Sequence, residues 1–396
     1  MSSRSRRRFI QTIIGGAVAA PAVLRAQVDT PAIYLPATPA DSTRHNDSLL
    51  TPGPPAHSTP KRAEHRRAHG EKEKEQPLPL IKPPALKDGS TIALVAPASG
   101  LSHGEAMDAA ATLRSLGFNV KVGEHLTKEY GYLSAKDDAR AEEFMKFVLD
   151  PEVNCIMAVR GGYGVMRILP KLDWAAIRAN PKVIMGYSDI TALVNPIYKL
   201  SGMVAFHGPV ASSTFDRYTL DSFRRTVMSA APAGEFGESD EFKGEVFSER
   251  RASTIVSGTG QGRLVGGNLS LVTALMGTPY EIDTEGKILF IEEVEEEPYR
   301  VDRMLMQLVL GGKLQKCAGI AIGRFTKCES RTRGGEFRMS LSLEEIVHGL
   351  LEPLKVPTVY GLSIGHIKSK LTVPVGGLAT LDADARTIRI DEAAVR

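Results

Sequence analysis

Val183-Ile184-Met185-Gly186-Tyr187-Ser188-Asp189-Ile190-Thr191 is the stretch that decides how this chain folds. Three apolar residues read as the end of a buried strand, and a glycine then allows a sharp turn with a serine at its apex. Asp189, Thr191 and the run Ala192-Leu193-Val194 suit the start of a helix. A strand-to-helix turn of this kind lifts a serine Oγ above a sheet, where hydrolytic enzymes place a nucleophile. The same position also suits a serine that caps the following helix. The sequence departs from Gly-x-Ser-x-Gly, so the turn is not the α/β-hydrolase elbow.

Reading outward, the first half alternates strand-like and helix-like runs. Ser90 to Pro97, Phe118 to Val122, Cys155 to Val159 and Val183 to Met185 are apolar and short. Gly104 to Leu116 and Ser134 to Leu149 have helical spacing. Alternation of this type predicts an α/β fold with a parallel sheet covered by helices on both faces. Sites in such sheets lie at the carboxyl ends of strands. Both Arg160-Gly161-Gly162-Tyr163-Gly164 and Gly186 to Asp189 fall there. Residues 231–260 are rich in Gly, Ser and charge and mark a boundary. Beyond it, Gly262 to Leu269, Lys287 to Ile291, Ala318 to Phe325, Val356 to Ile364 and Leu371 to Ile390 predict a second, strand-rich domain.

The ends differ from this core. Residues 1–26 carry Arg6-Arg7-Arg8-Phe9-Ile10 and then an apolar run, Ile13 to Leu24, interrupted by Gly15 and Gly16. The arginine pair with its aromatic-aliphatic sequel has twin-arginine form, and the run is too short for a membrane span. The expectation is an exported, periplasmic or secreted bacterial protein with no stable membrane span after processing. This segment holds five arginines and no acids, so the net +3 of the chain becomes −2 without it. That balance disfavours a nucleic-acid partner. Residues 27–84 hold eleven of the 24 prolines and lack apolar periodicity, which predicts a disordered tether. The expected organisation is therefore a signal (1–26), a tether (27–84), an N-terminal α/β domain (85–235), a linker (236–260) and a C-terminal β-rich domain (261–396). Each of the two domains is expected to have a core of its own.

A serine nucleophile needs a base, and the base needs an orienting group. Four of the nine histidines lie in the tether. His366 follows the largely apolar run Val359 to Gly365 and is placed like an active-site base at a strand end, or like a structural histidine. Glu292 is the first polar residue after Ile288-Leu289-Phe290-Ile291, where a carboxylate can be partly buried and accept an imidazole N–H. The four further glutamates up to Glu297 read as a solvated face. The glycines around Tyr163 suit an oxyanion hole or merely a tight turn. They lack the spacings of dinucleotide-binding and Walker loops. No zinc-binding spacing occurs among the three cysteines and the histidines, and neither a metal nor a cofactor is expected.

Seven motifs in chain order resemble the LD-carboxypeptidase family of serine peptidases, which includes murein tetrapeptide carboxypeptidases and microcin C immunity peptidases. They are Val159 to Gly164, Gly186 to Asp189, His207-Gly208-Pro209, Gly266 to Leu269, Gly277-Thr278-Pro279, Phe290 to Glu293 with Pro298 to Arg303, and Gly365-His366. Glu293 departs from the aspartate of many members. The resemblance implies a flavodoxin-like parallel-sheet N-terminal domain bearing Ser188 and a smaller β-rich C-terminal domain bearing Glu292 and His366. It implies that these three form a triad between the domains, commonly in a homodimer. The activity it implies is release of a C-terminal D-amino acid from murein peptides. The N–H of Asp189 and of Gly161 or Gly162 would hold the oxyanion, with Arg160 and His207 as substrate contacts, although Arg160 reads equally well as a buried structural arginine. The alternatives are an amide hydrolase of a peptidyl-nucleotide toxin with the same triad, a catalytically idle murein-binding protein, and a nucleotide-binding protein using Arg160 to Gly164.

Overall fold

The computed structural model describes residues 78–239, 251–330 and 339–396. The expected signal and nearly all of the tether therefore lie outside the described residues, as does part of the expected linker. The last tether residues are a correction. The N–H of Ile81 donates to Gly202 O (2.8 Å), and that of Arg396 to Pro83 O (2.9 Å), so 78–84 belong to the folded body. Ile81 supplies the reason, since it packs against the core below while its backbone extends a neighbouring segment.

Five parallel strands form the first sheet: β1 (Thr91–Val95), β2 (Asn119–Val122), β3 (Cys155–Ala158), β4 (Val183–Gly186) and β5 (Ala205–His207). Helices α1 (His103–Ser115), α2 (Asp137–Leu149), α3 (Val165–Ile168), α4 (Trp174–Ala179), α5 (Thr191–Ser201) and α6 (Arg217–Val227) connect and follow them. The order 2-1-3-4-5 is the flavodoxin-like one expected. Strands β1, β3 and β4 are almost wholly buried, as parallel strands covered on two faces must be.

The second sheet has eight strands. It contains β6 (Gly234–Phe236), β7 (Ser253–Val256), β8 (Thr259–Asn268), β9 (Ile288–Val294), β10 (Gly319–Thr326) and β11 (Thr358–Tyr360), with β13 (Leu378–Asp382) and β14 (Thr387–Ile390). Strands β8 to β11 run parallel, whereas β6, β7, β13 and β14 add antiparallel pairings at the flanks. Helices α7 (Leu269–Ala274), α8 (Pro298–Leu310) and α9 (Leu343–Leu351) complete this half. The remaining strand, β12 (Val373–Val375), leaves it and pairs antiparallel with β5 as the sixth strand of the first sheet.

The two halves share a core where separate ones were expected. One apolar cluster takes Ile184, Leu193 and Ile197 from the first sheet and α5, and Leu264, Ile288 and Phe290 from the second. Helix α5 causes this sharing. Its apolar residues extend beyond a single stripe, and eight of its eleven residues are buried. Asn195, on that helix, both donates to Gly266 O (2.8 Å) and accepts from Gly266 N (3.0 Å). A buried amide satisfied at both ends fixes helix against strand with little freedom to slip.

Candidate active site

The site is assembled from four pieces of chain. Ser188 follows β4 and carries φ = 65°, in the left-handed region that ordinary residues avoid. Such a conformation costs on the order of 1–3 kcal/mol and persists only where the surroundings hold it. No side-chain bond from Ser188 caps either the short helical turn it opens or α5, so the capping reading fails. The hydroxyl is left for other use.

Gly161 packs on this serine. A Cβ added to Gly161 would lie 2.6 Å from Ser188 Cβ, 2.7 Å from its Oγ and 3.3 Å from Asp189 N. The approach requires glycine, which is the physical content of the Gly-rich stretch after β3. Among the described residues, no backbone carbonyl accepts from the N–H groups of Gly161, Gly162 or Asp189. The Asp189 side chain is buried and accepts from Val165 N (2.8 Å), tying the turn after β4 to the loop after β3. Burial pushes this carboxyl up to about 6, against the lowering effect of the Val165 and Gly164 N–H groups and of Arg140.

The second half contributes an acid and a histidine. His366 Nδ1 lies 2.7 Å from Glu292 Oε2, with Glu292 fully buried and the imidazole partly exposed. That bond directs Nδ1–H at the carboxylate and turns Nε2 outward as an acceptor. Two expectations about setting are corrected. Glu292 lies inside β9 rather than after it, because the strand continues through both glutamates to Val294. Its side chain points inward where the strand is covered on both faces. His366 lies on irregular chain after β11 and not at a strand end. Gly365, with φ = 119°, permits the turn, and a Cβ there would meet Glu292 Oε2 at 2.7 Å.

Backbone register links these pieces. Thr191 Oγ1, three residues after Ser188, accepts from Asn268 N (2.9 Å), and Asn268 stands opposite Glu292 across β8 and β9. The Tyr187 ring meets the His366 ring edge-on, with centroids 4.8 Å apart, and Lys370 Nζ sits 4.6 Å from the Tyr187 centroid. Among the described residues no hydrogen bond joins Ser188 to His366.

The other sequence candidates separate from one another. Arg160 is exposed and without a side-chain partner among the described residues, at the edge of the Gly161 loop; the buried structural arginine is not found. His207 ends β5 and is buried beneath the site against Phe290, with ring centroids 5.2 Å apart. The Tyr187 ring contacts both His207 and His366, with centroids 6.2 and 4.8 Å apart. Burial lowers the His207 imidazole to about 4, so it is held neutral. Glu293 turns the other way from Glu292 and accepts from Asn268 Nδ2 (2.9 Å) and from Ser270 N (2.8 Å) at the start of α7. The three cysteines are buried free thiols. Among the described residues no group of three metal-ligating side chains converges.

The contacts of Thr191, Asn195, Asn268 and Tyr187 were not foreseen, although Tyr187 and Asn268 fall within the motifs named above. Thr191 and Asn195 are four apart on a helix whose first seven residues are otherwise apolar, a spacing that puts two polar groups on one buried face.

Comparison with known proteins bears on this geometry. The LD-carboxypeptidase N-terminal domain matches residues 92–208, and the LD-carboxypeptidase C-terminal domain matches residues 261–381. A probable murein peptide carboxypeptidase of Bacillus subtilis is 38% identical over 312 residues, 78% of this chain and 94% of the relative. Among solved structures, MccF in complex with glutamyl sulfamoyl guanosine superposes with TM-score 0.70 at 26% identity, covering 80% of this chain and all of that one. A muramoyltetrapeptide carboxypeptidase from Oxalobacter formigenes superposes with TM-score 0.63 at 31% identity, covering 76% of this chain and 98% of its own.

Proposed function

The chain belongs to the LD-carboxypeptidase family, a family of peptidases, and from that membership we propose that it releases a C-terminal D-amino acid from murein tetrapeptides through an acyl-enzyme on Ser188. The observation that carries this reading is the 2.7 Å bond between Glu292 and His366, in the same cluster as a serine held in a strained turn.

In this mechanism His366 Nε2 takes the Ser188 proton as Oγ attacks the carbonyl carbon. Glu292 holds the imidazole in one tautomer and stabilises the imidazolium that forms. The N–H groups of Asp189 and of Gly161 or Gly162 receive the developing oxyanion. The imidazolium then protonates the leaving amine, and the D-amino acid departs. Water, deprotonated by His366, cleaves the ester and restores the serine. Arg160, exposed and unpaired beside the oxyanion loop, takes the terminal carboxylate.

Defined tri-, tetra- and pentapeptide muropeptides offered to the protein, with products identified by mass, test this. Loss of a single D-alanine from the tetrapeptide is expected. Cleavage of a peptidyl-nucleotide analogue with the tetrapeptide left intact would replace murein with the substrate class of the MccF complex.

The twin-arginine form of the first residues supports export, and the family resemblance supports a homodimer. Dependence of periplasmic enzyme on the twin-arginine route in fractionated cells, and mass by light scattering, test these two proposals. Among the described residues no helix is long and apolar enough to cross a membrane.

A further inference from the structure

Two tyrosines stand exposed at the rim of the site. Tyr163 follows Gly162 on the oxyanion loop and is 49% exposed; Tyr132 belongs to a different loop and is 65% exposed. Their rings meet at 73°, with centroids 5.3 Å apart. Two large aromatic faces left in water beside Gly162 form a patch that a ligand can cover.

This patch is built rather than loose. The turn carrying Tyr132 is closed by reciprocal bonds between Tyr130 and Leu133, 2.7 and 3.2 Å. Ser134 donates through Oγ to Ala96 O (2.6 Å) and through N to Ala98 O (2.9 Å), fixing the turn to the end of β1. Ser99 Oγ donates to Tyr132 O (2.7 Å), and the same serine lies directly against Gly162. Arg140 Nη1 donates to Gly164 O (2.9 Å) behind Tyr163. A ligand would therefore meet a preorganised surface and lose little affinity to ordering it.

Position and shape select the ligand. Tyr163 Cα can be no more than about 7 Å from Gly161 Cα, which itself touches Ser188. Only one residue departs on the carboxyl side of the scissile bond, so any longer part of the substrate extends on the amine side. In a murein tetrapeptide that side holds three residues, spanning roughly 10 Å when extended, and then an amino sugar. Two rings near a right angle make a corner, not a parallel-walled slot of the kind that holds a flat purine. A chair-shaped pyranose presents C–H groups on a face and along an edge, and these match the negative faces of two perpendicular rings.

We propose that the Tyr132–Tyr163 corner binds the pyranose ring at the amine end of the murein peptide. The proposal rests on the murein reading above. Its test compares kcat/KM for the free tetrapeptide with that for the tetrapeptide bearing N-acetylmuramic acid, in wild type, Tyr132→Ala and Tyr163→Leu. Tyr132 is on a loop separate from the oxyanion loop, and an unchanged melting temperature checks that each variant folds. Wild type is expected to prefer the sugar-bearing substrate by about three- to tenfold. Tyr132→Ala should lose that preference through KM while cleaving the free tetrapeptide as wild type does, and Tyr163→Leu should lose the preference whatever its rate on the free tetrapeptide. Equal losses on both substrates, or no preference in wild type, would overturn the proposal, as would an effect confined to a peptidyl-nucleotide substrate. Failure of wild type to cleave either murein substrate would instead sink the murein reading.

Discussion

The turn around Ser188 and the Glu292–His366 pair solve one problem in two ways. The turn is held by backbone: a left-handed serine, a glycine packed against its Oγ, and a buried carboxyl that ties two loops together. The pair is held by a side-chain hydrogen bond inside a low-dielectric pocket, 2.7 Å long with the acid fully buried. Strain is local, and few neighbours suffice to hold it. A buried charge needs its partner supplied from another segment, here 74 residues away. Damage to the two regions should therefore look different.

The largest effect is expected where the regions meet in the reaction. Ser188→Ala should lower kcat on tetrapeptide by about 10⁴-fold or more with the fold intact; D-alanine release by that variant near the wild-type rate would remove the nucleophile from the account. Glu292→Gln keeps the shape but directs the wrong group at Nδ1, and a loss of roughly 10³- to 10⁴-fold in kcat is expected. Gly161→Ala attacks the turn by contact alone. Its Cβ would sit 2.6 Å from Ser188 Cβ, and a drop of about 10²-fold in kcat with a small change in KM is expected, as for loss of an oxyanion donor. A rise in KM alone would mean that the loop serves binding and not the transition state.

The smallest effect is on stability and has a defined sign. The Asp189 carboxyl is raised to about 6, chiefly by burial. The native state then binds more protons than the unfolded chain between about pH 4 and 6. Its contribution is present in full below about pH 4 and is lost as pH rises through 6. Asp189→Asn can still accept the Val165 N–H. It should match wild type in urea unfolding near pH 4 and exceed it by up to about 2–3 kcal/mol at pH 8. His207, lowered to about 4 by burial, acts oppositely, withdrawing stability as pH falls. It is common to both proteins and cancels in the difference. A difference that did not change with pH would argue against the buried-carboxyl reading.

The same contrast explains what could be read in the sequence. Strand, glycine and serine are adjacent in the chain, so the turn after β4 was visible as a local pattern, as was the alternation that gives the 2-1-3-4-5 sheet. The setting of His366 was not visible. It depends on a positive φ at Gly365 and on Glu292 facing it from a strand interior, neither of which is a local property. The run of glutamates also hid a division of labour. Alternation along β9 sends Glu292 to the imidazole and Glu293 to the α7 terminus. Nor could composition reveal that α5 is shared by both sheets, since a helix buried on most sides differs from an amphipathic one only in a few polar positions.

If the turn and the pair form one catalytic unit, their losses must not multiply. Single-turnover release of D-alanine from murein tetrapeptide by Ser188→Ala, His366→Ala and the double variant measures this directly. The account predicts a double variant no slower than the more impaired single one. Independent, multiplying losses would contradict it.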